Sequence, residues 1–273
     1  MPPLNQNSFD AKTIADFLEI WLTNDFLPET ENKIFSHYYR SYKKRFNNYL
    51  KNNYNEQTKE LLEIAAKIDR PKILEIGVGC GTEALWLALK GYDVSGVDID
   101  DDLLSVARRR QELLETARGQ KISCTFIKKS LLEMDATKKF DIIWLEQTLH
   151  HLEPRQPMLD QIVRLLKPNG YLIISEINAY NPLNQLRFFL FRGFKTVINY
   201  KGHLFGNERI IFPWRLKKEF KKRGLKTLSL RFFRILPNKR ITEYLGFIDK
   251  LIPQFLSPLF THYNYVGSKS EDK

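Results

Sequence analysis

Cysteine is scarce in this chain of 273 residues: Cys80 and Cys124 are the only two, and they form no C-x-x-C pair. That excludes a paired-thiol motif and fits a reduced, cytoplasmic protein. There is no run of about 18 uncharged apolar residues, so no transmembrane helix is expected. The N-terminal MPPLNQNSFD lacks a charged n-region and an apolar h-region, so no signal peptide is expected. Internal repeats and low-complexity linkers are also missing. Acidic residues nearly vanish between Tyr180 and Arg240, where 16 Lys/Arg face only Glu208 and Glu219. The net charge of +11 is therefore the property of one segment and needs a local explanation. What remains, 43% hydrophobic and 27% charged, is an ordinary globular composition, enough for one large α/β domain or two small ones.

The hydrophobic pattern predicts mixed helices over 1–70, as in IADFLEIWL and FSHYYRSYKKRFNNYL, stopped by Pro71. Strands and helices then alternate. KILEIG (72–77), YDVSGVDI (92–99), KISCTFIK (121–128), FDIIWLEQ (140–147) and YLIISEIN (171–178) read as strands. TEALWLALK (82–90), DDDLLSVARRRQELLETA (100–117) and PRQPMLDQIVRLLK (154–167) read as helices. The order implies an α/β fold with a parallel, doubly wound sheet, whose ligand site lies at the carboxyl ends of the strands. Beyond Asn178 the pattern predicts a helix over 213–224, a strand in LKTLSLRFFRIL, a broken amphipathic helix in ITEYLGFIDKLIPQFLSPLF and a last strand in HYNYVGSK. Residues 1–70 are expected to form a helical cap, 71–180 the binding core, and 181–273 the rest of the fold with a basic lid.

The first strand runs into LEIGVGCGT. A dinucleotide fingerprint needs a third glycine where this chain has Thr82, and no Gly-Lys-Ser/Thr follows to make a P-loop. Glu75, two residues before Gly77, would repel a phosphate and favour a cationic ligand. Asp98 ends the second strand, 17 residues after Gly81, where a carboxylate can accept both hydroxyls of a ribose. The ligand should thus carry a ribose and a positive end but no pyrophosphate, a description that S-adenosylmethionine meets.

ILEIGVGCGTEALWLALKGYDVSGVDID resembles the cofactor-binding opening of the class I S-adenosylmethionine-dependent methyltransferases. FDIIWLEQTLHHLEP and LLKPNGYLIISEIN resemble their fourth and fifth strands, in the subgroup with the ubiquinone and menaquinone methyltransferases. The resemblance covers about residues 70–180. It implies a Rossmann-like sheet of seven strands with the last antiparallel, which suits HYNYVGSK. It places Glu75, Gly77, Gly79 and Gly81 around the methionine part of the cofactor, Asp98 on the ribose, and Ile99 on the adenine. Leu131 would lie at the adenine edge; the Asp that often precedes it in relatives is Ser130 here. Glu146 and Gln147 would face the methionine end or the acceptor.

Methyl transfer is an in-line displacement that gains most from alignment, while a hydroxyl or amine acceptor must also lose a proton. His150 and His151 are candidate bases, although His-His-Leu recurs in the family with different acceptors. His203, in KGHLFGNER, is a third candidate. Cys80 reads as a packing residue and Asp100–Asp102 as a helix cap and first turn; no metal site is expected. The expected activity is methyl transfer to O, N or C of a small or lipid-like acceptor. The alternatives are a nucleic-acid methyltransferase or a non-catalytic cofactor-binding subunit. The segment 180–240 reads as a solvated surface, as a contact for an anionic membrane or lipid phosphate, or as an RNA or DNA contact.

Overall fold

The computed structural model describes residues 4, 10–190, 195–198 and 204–271; side chains from 188 to 208 lie outside the description. Four helices come first: α1 (Ile14–Thr23), α2 (Glu29–Tyr38), α3 (Arg40–Lys44) and α4 (Asn48–Ala65). There follow β1 (Lys72–Ile76), α5 (Thr82–Leu89), β2 (Asp93–Asp98), α6 (Asp101–Arg118), β3 (Cys124–Lys128), β4 (Phe140–Glu146), α7 (Arg155–Leu165) and β5 (Leu166–Ile177). The remainder is α8 (Pro182–Leu190), β6 (Lys195–Ile198), β7 (Leu204–Glu208), α9 (Pro213–Lys222), β8 (Leu225–Phe233), α10 (Thr242–Leu245), α11 (Ile248–Leu251) and β9 (His262–Lys269).

Seven strands form one sheet in the order β3-β2-β1-β4-β5-β9-β8. β1 to β5 pair in parallel, and β9 runs antiparallel between β5 and β8. The expected seven-stranded sheet with an antiparallel last strand is therefore present. β6 and β7 make a separate antiparallel pair. The sheet is buried on both faces, which explains the nearly unbroken apolar runs of its central strands. Ile73, Ile142, Trp144 and Ile173 join a core with α1, α4, α5 and α6. Their neighbours Leu74, Ile143, Leu145 and Ile174 join a second core with α7 and α9.

Local chemistry sets the ends of the elements. Thr13 and Asp16 form a reciprocal capping box on α1. Asp100 caps α6 by accepting from Asp102 N (2.9 Å) and Leu103 N (3.2 Å), the role its position suggested. β5 starts five residues before the expected strand. Leu166 already has extended backbone (φ −74°, ψ 137°), since Pro168 disfavours helix in the residues ahead of it. The amphipathic stretch after Ile241 breaks into α10, α11 and a 3-10 turn, Gln254–Leu259, entered at Pro253. Among the described residues no helix is long and apolar enough to cross a membrane.

Candidate active site

The loop after β1 is built by backbone. The amides of Gly77 and Val78 donate to Val97 O (2.8 and 3.2 Å), which ties the loop to β2. Gly77 has φ +74°, and a Cβ there would lie 2.3 Å from Thr148 Cγ2. Gly81, also at φ +74°, would place a Cβ 2.9 Å from Ala107 and Phe126. Asp98 Oδ2 accepts from Gly79 N (2.9 Å) and Oδ1 from Asp100 N (3.0 Å). A carboxylate has about four acceptor sites, so Asp98 keeps acceptor capacity for a ligand beyond its backbone partners.

A cavity of about 700 Å³ opens at the carboxyl ends of β1, β2 and β4. Its wall includes Glu75, Gly77, Asp98, Ile99, Ser130, Leu131, Glu146, Gln147, His150 and His151. Gly79 and Gly81 are not on that wall. Gly81 instead packs the loop against α6 and β3, so its role is close approach of backbone. Gln147 holds φ +42°, an unusual value for a residue with a side chain, immediately after β4. His203 lies outside the described residues.

The cavity floor is acidic and deeply buried. Glu75 is 2% exposed, and among the described residues its Oε2 has no hydrogen-bond partner. Burial pushes its carboxyl well above the usual range, and the nearby Glu83 and Glu146 push it further. Glu83 is raised by burial too, although Tyr54 donates to it. Glu146, which accepts from Gln57 Nε2 at 2.5 Å, is raised to about 8 by burial and by Glu83 and Glu176. Such a cluster lacks only a cation.

His150 stands beside Glu176, with Nδ1 2.9 and 3.0 Å from the two carboxylate oxygens. Both side chains are buried. An ionised carboxylate only accepts, so Nδ1–H is the donor in this contact. His151 lies against His150 with ring centroids 4.1 Å apart and planes tilted by 42°.

Residues 74–174 match the methyltransferase domain family. Residues 74–174 are a class I S-adenosylmethionine-dependent methyltransferase domain. The chain is 30% identical to methyltransferase GfsG of Streptomyces halstedii over 144 residues, 52% of this chain and 49% of that protein. It is 27% identical to the ubiquinone biosynthesis O-methyltransferase of Rickettsia conorii over 119 residues, 44% of this chain and 39% of the other. The matches thus span about half or less of these relatives. In fold it is similar to magnesium protoporphyrin IX methyltransferase of Synechocystis PCC 6803, solved with bound S-adenosylhomocysteine. The TM-score is 0.55 at 14% identity, over 97% of this chain and 95% of that one.

The methyltransferase domain's cofactor is S-adenosylmethionine, and the residues present fit it. The orphaned Glu75 Oε2 suits a cationic amino-acid end. Asp98 retains acceptor capacity for a ribose diol. Ile99, 57% exposed on the cavity wall, is an apolar platform for adenine. Ser130 caps the 3-10 turn Leu131–Glu133, taking Leu132 N at 3.4 Å while its own amide donates to Glu133 at 3.0 Å.

Three further features line or support the site. Tyr38 at the end of α2, the linking Tyr39, Arg40 and Tyr42 of α3, and Tyr54 of α4 all reach the cavity. The run HYYRSYKK held that signal in its density of tyrosines. Glu176 sits on β5 inside an otherwise apolar run, a pattern that marks a buried charge. Thr82 is the third. Its hydroxyl bonds Tyr39 Oη (2.7 Å) and accepts from Arg110 Nη1 (2.8 Å), which also donates to Cys80 O (2.7 Å). Arg110 is itself enclosed by Phe17, Trp21 and Phe35 at 4.5–5.6 Å. The residue that replaces a dinucleotide glycine therefore joins the loop to the N-terminal helices.

Proposed function

We propose that the whole chain is an S-adenosylmethionine-dependent methyltransferase acting on a hydroxyl of a small or lipid-like molecule. The supporting observation is that His150, on the same cavity wall as Glu75 and Asp98, is backed by the buried carboxylate of Glu176. When bound, S-adenosylmethionine supplies a methyl group on a good leaving sulfur, so the protein's main task is alignment. Glu75 and Asp98 hold the two ends of that ligand. Nε2 of His150 takes the proton of the acceptor hydroxyl as the oxygen attacks, and Glu176 steadies the resulting imidazolium through Nδ1–H. The helix-borne tyrosines exclude water from the reacting centre. Leu152 and Met158 on the wall favour an uncharged, apolar acceptor. The likeness to a ubiquinone biosynthesis O-methyltransferase adds support for oxygen.

Calorimetry with S-adenosylhomocysteine tests the cofactor half: wild type binds and Asp98→Ala loses at least tenfold in affinity. No binding by the folded wild type sinks the reading. Single-turnover transfer of labelled methyl to a panel of phenols and lipid extracts tests the acceptor half. His150→Ala should then lower kcat with KM for the acceptor retained. Undiminished transfer in that variant removes the base, and transfer to RNA alone removes the lipid-like acceptor.

A further inference from the structure

The stretch 241–255 turns its apolar side the wrong way for a soluble face. Ile241, Tyr244, Phe247, Leu251 and Phe255 recur at helical spacing, and all are more than half exposed, Tyr244 at 79% and Phe255 at 80%. The opposite side of the same path is docked. Gly246 lies against the Tyr49 ring, where a Cβ would come within 2.7 Å. Tyr49 Oη bonds Asp249 at 2.8 Å, and Ile235 N donates to Asp249 at 3.1 Å. The outward side chains are thus held in place by a fixed backbone.

Cations border this ridge. Lys239, Arg240 and Lys250 lie within or just before it, and Arg45 is brought alongside. Arg45 Nη1 donates to Asn238 O at 3.0 Å. Against these four, the acids of the ridge are Glu243 and the tied Asp249. Segments tied to either end of the ridge reach the cavity. Arg40, Ser41 and Tyr42 of α3 and Arg187 of α8 are on its wall. The start of α8 is fastened to the chain just past the ridge, because Asn181 Nδ2 donates to Leu259 O (3.0 Å) and Asn184 Nδ2 to Thr261 O (3.0 Å).

We infer that this ridge docks on the surface of an anionic lipid bilayer. Aromatic and aliphatic side chains enter the interface while the flanking cations meet anionic headgroups. The cavity mouth then opens beside the membrane, where an apolar acceptor is concentrated. The inference extends the lipid-like acceptor of the proposed function, and its test is independent of methyl transfer.

Flotation of the full chain with vesicles of phosphatidylcholine, with and without phosphatidylglycerol, tests it. Wild type should float with the anionic vesicles, less so as salt rises, and stay behind with phosphatidylcholine alone. Lys239→Gln with Arg240→Gln should weaken partitioning roughly thirtyfold, about fivefold for each cation. Tyr244→Ser with Phe247→Ser and Phe255→Ser should weaken it at least about tenfold. Both variants should keep wild-type affinity for S-adenosylhomocysteine, which reports that they fold. Wild type that binds S-adenosylhomocysteine but no vesicle at low salt overturns the docking surface and leaves the methyltransferase reading standing; the converse result does the opposite. A wild-type dimer that the serine variant converts to monomer in sedimentation, or RNA binding that only the glutamine pair weakens, also overturns it.

Discussion

Replacing Glu146 by Gln should make the protein more stable at alkaline pH while weakening its hold on a cationic ligand. Glu146 has an ordinary pKa of 4.5 and a folded value of about 8. The folded state therefore binds the proton more tightly than the unfolded chain. The associated stability is complete below pH 4.5 and is lost as pH rises, until the carboxyl ionises in both states above about 8. Each pH unit in that window costs up to about 1.36 kcal/mol, so going from pH 5 to pH 8 removes about 3 kcal/mol through this one group. Glutamine keeps an acceptor for Gln57 and cannot ionise. Urea unfolding of both proteins at pH 5 and pH 8 reads the contribution of Glu146 together with its coupling to Glu75 and Glu83. The wild type should lose about 3 kcal/mol more than the variant. Binding completes the test: wild-type affinity for S-adenosylmethionine should rise with pH up to about 8, with proton release, and that of the variant should not. Parallel stability curves would refute a raised carboxyl at this position.

Other perturbations separate the parts of the site. Thr82→Val keeps the shape but removes partners of Arg110 and Tyr39, so unfolding in urea should show a loss of about 3 kcal/mol, from two buried hydrogen bonds at about 1–3 kcal/mol each. Gly81→Ala combines positive φ with a 2.9 Å contact to Ala107, and a loss of about 3 kcal/mol in the same assay is expected from strain plus overpacking. Glu176→Gln should leave S-adenosylhomocysteine binding unchanged in calorimetry while lowering kcat and altering its pH profile, once an acceptor is in hand. An unchanged profile would leave Glu176 with a packing role only.

The core of this architecture was readable because each signal had a single physical source. Alternating apolar runs and glycine ends gave the five parallel strands, and the spacing from Gly81 to Asp98 gave the ligand's ribose. The N-terminal helices were visible as helices, but their destination was not. Periodicity cannot show that α4 lies on the sheet while the α2–α3 segment carries tyrosines to the cavity. Glu176 was passed over because a carboxylate in a buried strand has meaning only once its partner, 26 residues earlier in sequence, is placed beside it. The motif reads as one unit in sequence, whereas in the fold Gly77 lies on the cavity wall, Gly79 N donates to Asp98, and the α-carbon of Gly81 packs against Ala107 and Phe126. His150 and His151 both line the cavity, and Glu176 orients the His150 ring through Nδ1.

The contact of Thr82 with Tyr39 and Arg110 makes the N-terminal helices and the glycine loop one thermodynamic unit. A ligand that steadies the loop must steady α1 and α2 by the same free energy with which those helices favour the ligand, because such coupling is reciprocal. The helices that precede the first strand thus act as an affinity control on a loop from which they are separated by the whole of α4 and β1.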